Sequence, residues 1–299
     1  MLHKRAVFLD RDGTILVPPA EYICKAEQVV FYPGTAESLS LLKGKGFRRI
    51  VATNQAAVGR GVISELNLLP VHNHMKRLLA DHDADVDAVF YSSHFAAAGH
   101  PEHRRRAHLR KPDIGMFEQA ARRFHISLKD SFVIGDSIED MQAARNIGAR
   151  GILVRTGKGA GTERSLGGMV PDLIANDIPS ASVWICRQVC DTPLKGKSVL
   201  FVLAGRNFQE REYLVPRLAL EAWGADISVA GPGRDECVGA QGLRVAPDAT
   251  HRESDASAFD AVVFVGGEGA RALACCKVCQ GTARKTYETK KVLAAICVA

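Results

Sequence analysis

The sequence predicts an α/β protein in which short parallel strands alternate with helices, laid out as two successive domains. Three observations support this. Brief apolar, β-branched runs such as AVFLD, RRIVATN and SFVIGD alternate with stretches of helical periodicity. A length of 299 residues exceeds one ordinary domain and suits two. The alternation breaks around residues 180–196 and then resumes.

In the first series AVFLD (6–10) reads as a buried strand, followed by a helix over about 35–45 and the strand RRIVATN (48–54). A helix over 64–80 has Ser64 as its cap, and DAVFYSS (87–93) supplies a third strand. A helix over 116–124 leads to the strand SFVIGD (131–136), then to a helix over 139–147 that Gly148 stops. ARGILVRTG is the fifth strand. TPLKGK reads as a linker, giving domains over 1–186 and 197–299 with the linker over 187–196. The second series runs KSVLFVLAG, a helix over 211–223, ADISVAG, FDAVVFVGG and KKVLAAICVA. No internal repeat relates the halves.

Composition narrows the function classes. With 46% hydrophobic and 24% charged residues the chain can bury a core in each half. No apolar run reaches the roughly 18 residues of a membrane span, and the N-terminal run lacks a signal peptide's core and cleavage site, so the expected compartment is the cytoplasm. A net charge of +6 suits anionic substrates without by itself indicating nucleic acid. The 8 scattered cysteines read as reduced thiols rather than a disulfide framework.

Four separated pieces carry chemistry. Asp10-Arg11-Asp12-Gly13-Thr14 follows the first strand, Thr53-Asn54 closes the second, Arg110-Lys111-Pro112 lies between, and Gly135-Asp136 with Asp140 ends a later strand. Ligands of open α/β sheets bind at the carboxyl ends of strands, where these residues would meet. Hydrolysis of a phosphate ester needs a nucleophile, a proton for the leaving oxygen and positive charge around phosphorus. Asp10 can attack and form an aspartyl-phosphate. Asp12 can protonate the leaving group and then activate water, a task that burial would assist by lifting its pKa. Crowded carboxylates call for a cation. Mg²⁺ suits Asp10, the Asp12 main-chain carbonyl and Asp136. The Thr53 hydroxyl and the Lys111 ammonium then hold the phosphoryl oxygens.

Together FLDRDGTI, TNQAAVGRG, RKPDIGM and VIGDSIEDMQAA resemble the haloacid dehalogenase superfamily, and within it the cap-less branch of histidinol-phosphatases and heptose bisphosphate phosphatases. The resemblance covers about residues 1–185. It implies a Rossmann-like parallel sheet flanked by helices and a Mg²⁺-dependent phosphatase of a small phosphorylated metabolite, D-glycero-D-manno-heptose 1,7-bisphosphate or histidinol phosphate. It further implies that Asn54, Gln55, Arg110 and Tyr22 touch the substrate. The branch often carries a structural zinc loop. Here Ser92, His94, Ala107 and Leu109 stand at its ligand positions, so zinc is not expected. His100, His103 and His108 in the same loop could rebuild a histidine site but fit no standard zinc spacing, and the Arg104-Arg105-Arg106 run reads by default as a solvated face, with contact to a second phosphate of a bisphosphate as the alternative. Without interleaved aromatics that run makes a nucleic-acid 3′-phosphatase the lesser alternative.

The second half, through KSVLFVLAGRNFQEREYLVP, FDAVVFVGGEGA and KKVLAAICVA, resembles the ThiJ/PfpI family. The resemblance implies an incomplete flavodoxin-like α/β domain, with Cys297 at a sharp strand-to-helix turn near Glu212. The family continues past that turn, so this half is expected to be an inactive fragment. A non-catalytic stress or scaffold protein using this half is the reading from a different class. Cys275, Cys276 and Cys279 offer one CxxC with no second pair, a poor metal signature.

Overall fold

A computed structural model describes residues 4–93 and 107–297. His94, His100, His103 and the arginine run at 104–106 lie outside the described residues. The chain divides into two compact units, Met1–Ile185 and Cys186–Ala299.

The first unit is a six-stranded parallel sheet. Its elements are β1 (Ala6–Leu9), α1 (Thr35–Gly44), β2 (Arg48–Asn54), α2 (Glu65–Ala80), β3 (Ala88–Ser92), α3 (Gly115–Phe124), β4 (Phe132–Gly135), α4 (Ile138–Asn146), β5 (Arg150–Val154), β6 (Leu173–Ala175) and α5 (Ile178–Val189). The strand order is β3-β2-β1-β4-β5-β6, so β1 is central and pairs with β2 and β4. All four β1 residues are buried, as expected for a strand covered on both faces. Phe8 of β1 meets Phe117 of α3 edge-on at 4.9 Å, within a core that includes Ile50, Met116, Val133 and Ala143. Helix α2 starts where its cap dictates, the Ser64 hydroxyl accepting from the Asn67 N–H.

Two features depart from the expected pattern. A sixth strand, β6, extends the sheet beyond ARGILVRTG. The break expected at residues 180–196 is instead occupied up to Val189 by α5, so the first residues of the expected linker are helical. The Asp177 side chain accepts from the Ser180 N–H and hydroxyl, a cap that starts the helix.

The second unit has a five-stranded parallel sheet ordered β12-β9-β7-β13-β14, with β7 (Ser198–Val202), β9 (Asp226–Gly231), β12 (Ala249–Thr250), β13 (Ala261–Phe264) and β14 (Val292–Ala295). Strands β8 (Arg206–Phe208), β10 (Cys237–Gly239) and β11 (Arg244–Val245) form a separate small sheet, in which β10 and β11 run antiparallel. Helix α6 (Glu210–Ala222) follows β8, and α7 (Lys277–Glu288) precedes β14. Among the described residues no helix is long and apolar enough to cross a membrane.

Candidate active site

Because β1, β2 and β4 are adjacent and parallel, their carboxyl ends bring Asp10, Thr53 and Asp136 to one edge of the sheet. There they line a cavity of about 380 Å³ together with Asp12, Tyr22, Asn54, Gln55, Arg110 and Lys111. Arg60, Glu139 and Lys158 complete its polar wall.

Lys111 is the hub. Only 3% exposed, its ammonium donates to Asp10 Oδ1 at 2.6 Å, Asp140 Oδ1 at 2.6 Å and the Ala52 carbonyl at 2.7 Å. Burial works against its charge, but Asp10 and Asp140 outweigh it and raise its pKa above the ordinary lysine range. Asp140 in turn accepts from the Ser137 N–H at 3.1 Å and hydroxyl at 2.5 Å.

One cation does not balance this cluster. Oxygen atoms of Asp10, Asp136 and Asp140 all lie within 4.8 Å of one another. Asp10 is pushed up to about 7, first by burial, with Asp140, Asp136 and Asp12 adding to the rise against Lys111. Asp136 is pushed up to about 6, again chiefly by burial, and its Oδ2 accepts from the Lys158 N–H at 2.8 Å. Carboxylates that resist ionising beside one another are the donor set a divalent oxygen-seeking cation fits. Gly13 makes room for this arrangement. At φ 91° it takes a backbone conformation that side chains rarely adopt, and an added Cβ would fall 2.1 Å from Asp136 Oδ2. Gly135 is equally constrained by neighbours, since a Cβ there would fall 2.2 Å from the Asp140 carboxyl carbon.

Asp12 sits differently from its expected place. The burial that would favour its role is absent: its side chain is 32% exposed, and it is Asp10 that is enclosed. Arg11, buried beneath, donates from Nε to Asp12 Oδ1 at 2.9 Å and from Nη2 to Oδ2 at 2.8 Å. The same Nη2 donates to Gln55 Oε1, and Gln55 Nε2 reaches Asp12 Oδ2 and Thr53 Oγ1. His72 Nε2 accepts from Arg11 Nη1 at 3.0 Å, as a neutral ring must, and burial followed by the Arg11 charge lowers its pKa to about 3. Gln55 thus braces the acid rather than presenting a free amide. Asn54 is similarly engaged, its Nδ2 donating to the Lys111 carbonyl and its Oδ1 accepting from the Lys111 N–H, both at 3.0 Å. Tyr22 packs beside Ala57, Ile63 and Leu68 at the cavity wall.

Sequence reasoning missed Lys158, Arg11 and His72 and gave Asp140 no task. Lys158 is anchored through its backbone N–H, which leaves no side-chain signature. The Arg11–His72 contact spans 61 positions and emerges only from the packing of α2.

In the second unit Cys297 is exposed and follows β14 with φ 61°, a strained conformation for cysteine. Glu212 Oε2, in α6, is buried with no hydrogen-bond partner among the described residues. A Cβ on Gly266 would fall 2.5 Å from that oxygen and 2.9 Å from Cys297 Cβ, so the two side chains flank one glycine.

A parallel sheet that gathers a lysine-bridged cluster of carboxylates at its carboxyl edge places its charged chemistry where ligands of open α/β sheets bind. Comparison with known proteins gives the family. Residues 108–181 match the HAD-hydrolase-like family and residues 197–299 the DJ-1/PfpI family. The D-glycero-beta-D-manno-heptose-1,7-bisphosphate 7-phosphatase of Photorhabdus laumondii is 38% identical over 181 residues, covering 59% of this chain and 94% of that one. Its counterpart in Escherichia coli strain K12 is 34% identical over 190 residues, covering 63% and 91%. The crystal structure of D,D-heptose 1,7-bisphosphate phosphatase from B. bronchiseptica, complexed with magnesium and phosphate, superposes with a TM-score of 0.56 at 28% identity, covering 62% of this chain and 99% of that one. The chain belongs to the HAD-like phosphatases, phosphoric monoester hydrolases, and carries a DJ-1/PfpI domain after the phosphatase domain.

Proposed function

We propose that the first domain removes the 7-phosphate of D-glycero-D-manno-heptose 1,7-bisphosphate, with Asp10 as nucleophile. The observation that carries the chemistry is the Lys111 ammonium bridging Asp10 and Asp140 in a cavity also lined by Arg60, Arg110 and Lys158. Support for the sugar comes from the relatives, which bear that name at 34–38% identity over nearly their whole length.

The cluster suits a Mg²⁺ ion, which Asp10, Asp136 and the Asp12 main-chain carbonyl would hold. When bound it supplies positive charge that keeps Asp10 ionised and offsets charge gathering on the phosphoryl oxygens. The protein's own groups do the rest. Asp10 attacks phosphorus in line with the departing sugar oxygen, and Lys111 and the Thr53 hydroxyl hold the equatorial oxygens. Asp12, aimed by Arg11 and Gln55, gives its proton to the leaving oxygen. It then takes a proton from the water that cleaves the aspartyl-phosphate, freeing inorganic phosphate and Asp10. Asn54 fixes the Lys111 main chain, and Arg110 and Tyr22 face the sugar.

The test is phosphate release by the full chain in Mg²⁺ from the heptose bisphosphate, histidinol phosphate and a 3′-phosphorylated oligonucleotide. The proposal expects the bisphosphate to have the highest kcat/KM and its monophosphate product to retain the 1-phosphate. Preference for either other substrate would refute the assignment of the sugar, and turnover by Asp10→Asn would refute that of the nucleophile.

A further inference from the structure

His251, Cys276 and Cys279 come together in the DJ-1/PfpI domain, on segments that carry neither Glu212 nor Cys297. Their ligand atoms all lie within 4.8 Å of one another, and Cys279 Sγ is 3.4 Å from His251 Nδ1. His251 directly follows β12, Cys276 caps the start of α7, and Cys279 lies in the first turn of that helix. The sequence shows only a lone CxxC. The third member stands 25 residues before Cys276 and is delivered by the sheet.

The histidine is oriented as a ligand would need. Its Nε2 lies 3.0 Å from the Leu203 carbonyl, which can only accept, so Nε2 carries the proton and Nδ1 turns its lone pair toward the sulfurs. Its main-chain N–H is tied to the Gly231 carbonyl at 2.7 Å, so the ring is held from two sides. A zinc tetrahedron built from bonds of about 2.3 Å to sulfur and about 2.0 Å to nitrogen has sulfur–nitrogen edges of about 3.5 Å and sulfur–sulfur edges of about 3.8 Å. The observed 3.4 Å contact and the 4.8 Å span accommodate those edges with small side-chain shifts. Two thiolates and an imidazole favour zinc over the hard, oxygen-seeking Mg²⁺ of the first domain. Cys279, on the inner side, is buried against Leu200, Val262 and Leu273.

We propose that His251, Cys276 and Cys279 form a zinc site that clasps the segment after β12 to the start of α7, with its fourth position open to water or an exogenous ligand. Nothing in this proposal depends on the phosphatase reading.

Cobalt(II) titration of the reduced full chain in excess Mg²⁺ tests it. A thiolate-to-cobalt charge-transfer band should grow to one equivalent and be displaced by Zn²⁺; the all-oxygen cluster of the first domain cannot produce such a band. Cys276→Ser keeps a good helix cap while removing a sulfur, and should weaken zinc binding by at least about 10-fold, the lower end of the loss seen even for outer partners of a metal site. Cys279→Ala, at an apolar position, should do the same, and Cys190→Ser should change nothing. Absence of the band, or affinity unchanged in both Cys276→Ser and Cys279→Ala, would overturn the proposal. So would a Cys276–Cys279 disulfide found by mass in protein prepared under reductant.

Discussion

Replacing Asp10, the proposed nucleophile, should do two opposite things. Asp10→Asn should abolish phosphate release, and in the absence of divalent metal it should make the first domain more stable. Asp10 titrates near 7 in the folded chain, against about 3.9 for an unfolded aspartate. Between those values the folded state holds a proton that the unfolded state has lost, so stability declines as pH rises through the window, and the penalty is complete above about pH 7. The displacement from about 3.9 to about 7 corresponds to an upper figure of about 4 kcal/mol. For a domain of this size that is roughly 8–16 °C in melting temperature at most. Asparagine keeps the shape without the charge, so it escapes the penalty. Calorimetry in EDTA should show the variant's first-domain transition above that of the natural chain at about pH 8, with the gap narrowing toward about pH 4. Saturating Mg²⁺ should raise the natural chain and move the variant less. An Asp10→Asn chain less stable at about pH 8 in EDTA, or a gap indifferent to pH, would refute the claim that burial and crowding are what strain this carboxylate.

Asp12→Asn should lower kcat by roughly 10²–10⁴ while leaving the Mg²⁺ dependence of melting intact, because the proton carrier is lost and the charged cluster is not; a parallel titration of melting temperature checks this. Gly13→Ala should abolish both turnover and Mg²⁺-induced stabilisation, since its methyl would occupy the space of Asp136 Oδ2. Asn54→Ala should cost about 1–3 kcal/mol of stability by leaving the Lys111 main chain unpaired, and should depress kcat more than it raises KM. Steady-state kinetics showing a pure KM effect would instead make Asn54 a substrate contact.

The parts of the fold that could be read from residues alone are those whose cause is local. Strand β1 is buried on both sides and spells out its burial as an unbroken apolar run, and Ser64 announces α2 through its hydroxyl. Helix α5 falls where the strand–helix alternation breaks, so its start is marked only by the Asp177 cap and Pro179. Strand β6, three residues long, is too brief for any periodicity to emerge. At the site, Asp10, Thr53, Lys111 and Asp136 can be picked out because the chemistry dictates their types and the strand ends dictate their places. The tasks of Gln55, Asn54 and Asp140 cannot, since each is defined by a partner 29 to 57 positions away.

The sealed guanidinium of Arg11 has a consequence for how this phosphatase works. Its fork fixes the Asp12 carboxyl, the proposed acid–base group, during folding, and Gln55 and His72 hold the guanidinium in turn, so the ordering entropy is spent before any substrate arrives. On warming, Asp12 should lose its orientation only when the core around Arg11 gives way. Turnover should therefore rise smoothly with temperature and then fail abruptly, together with the sheet itself.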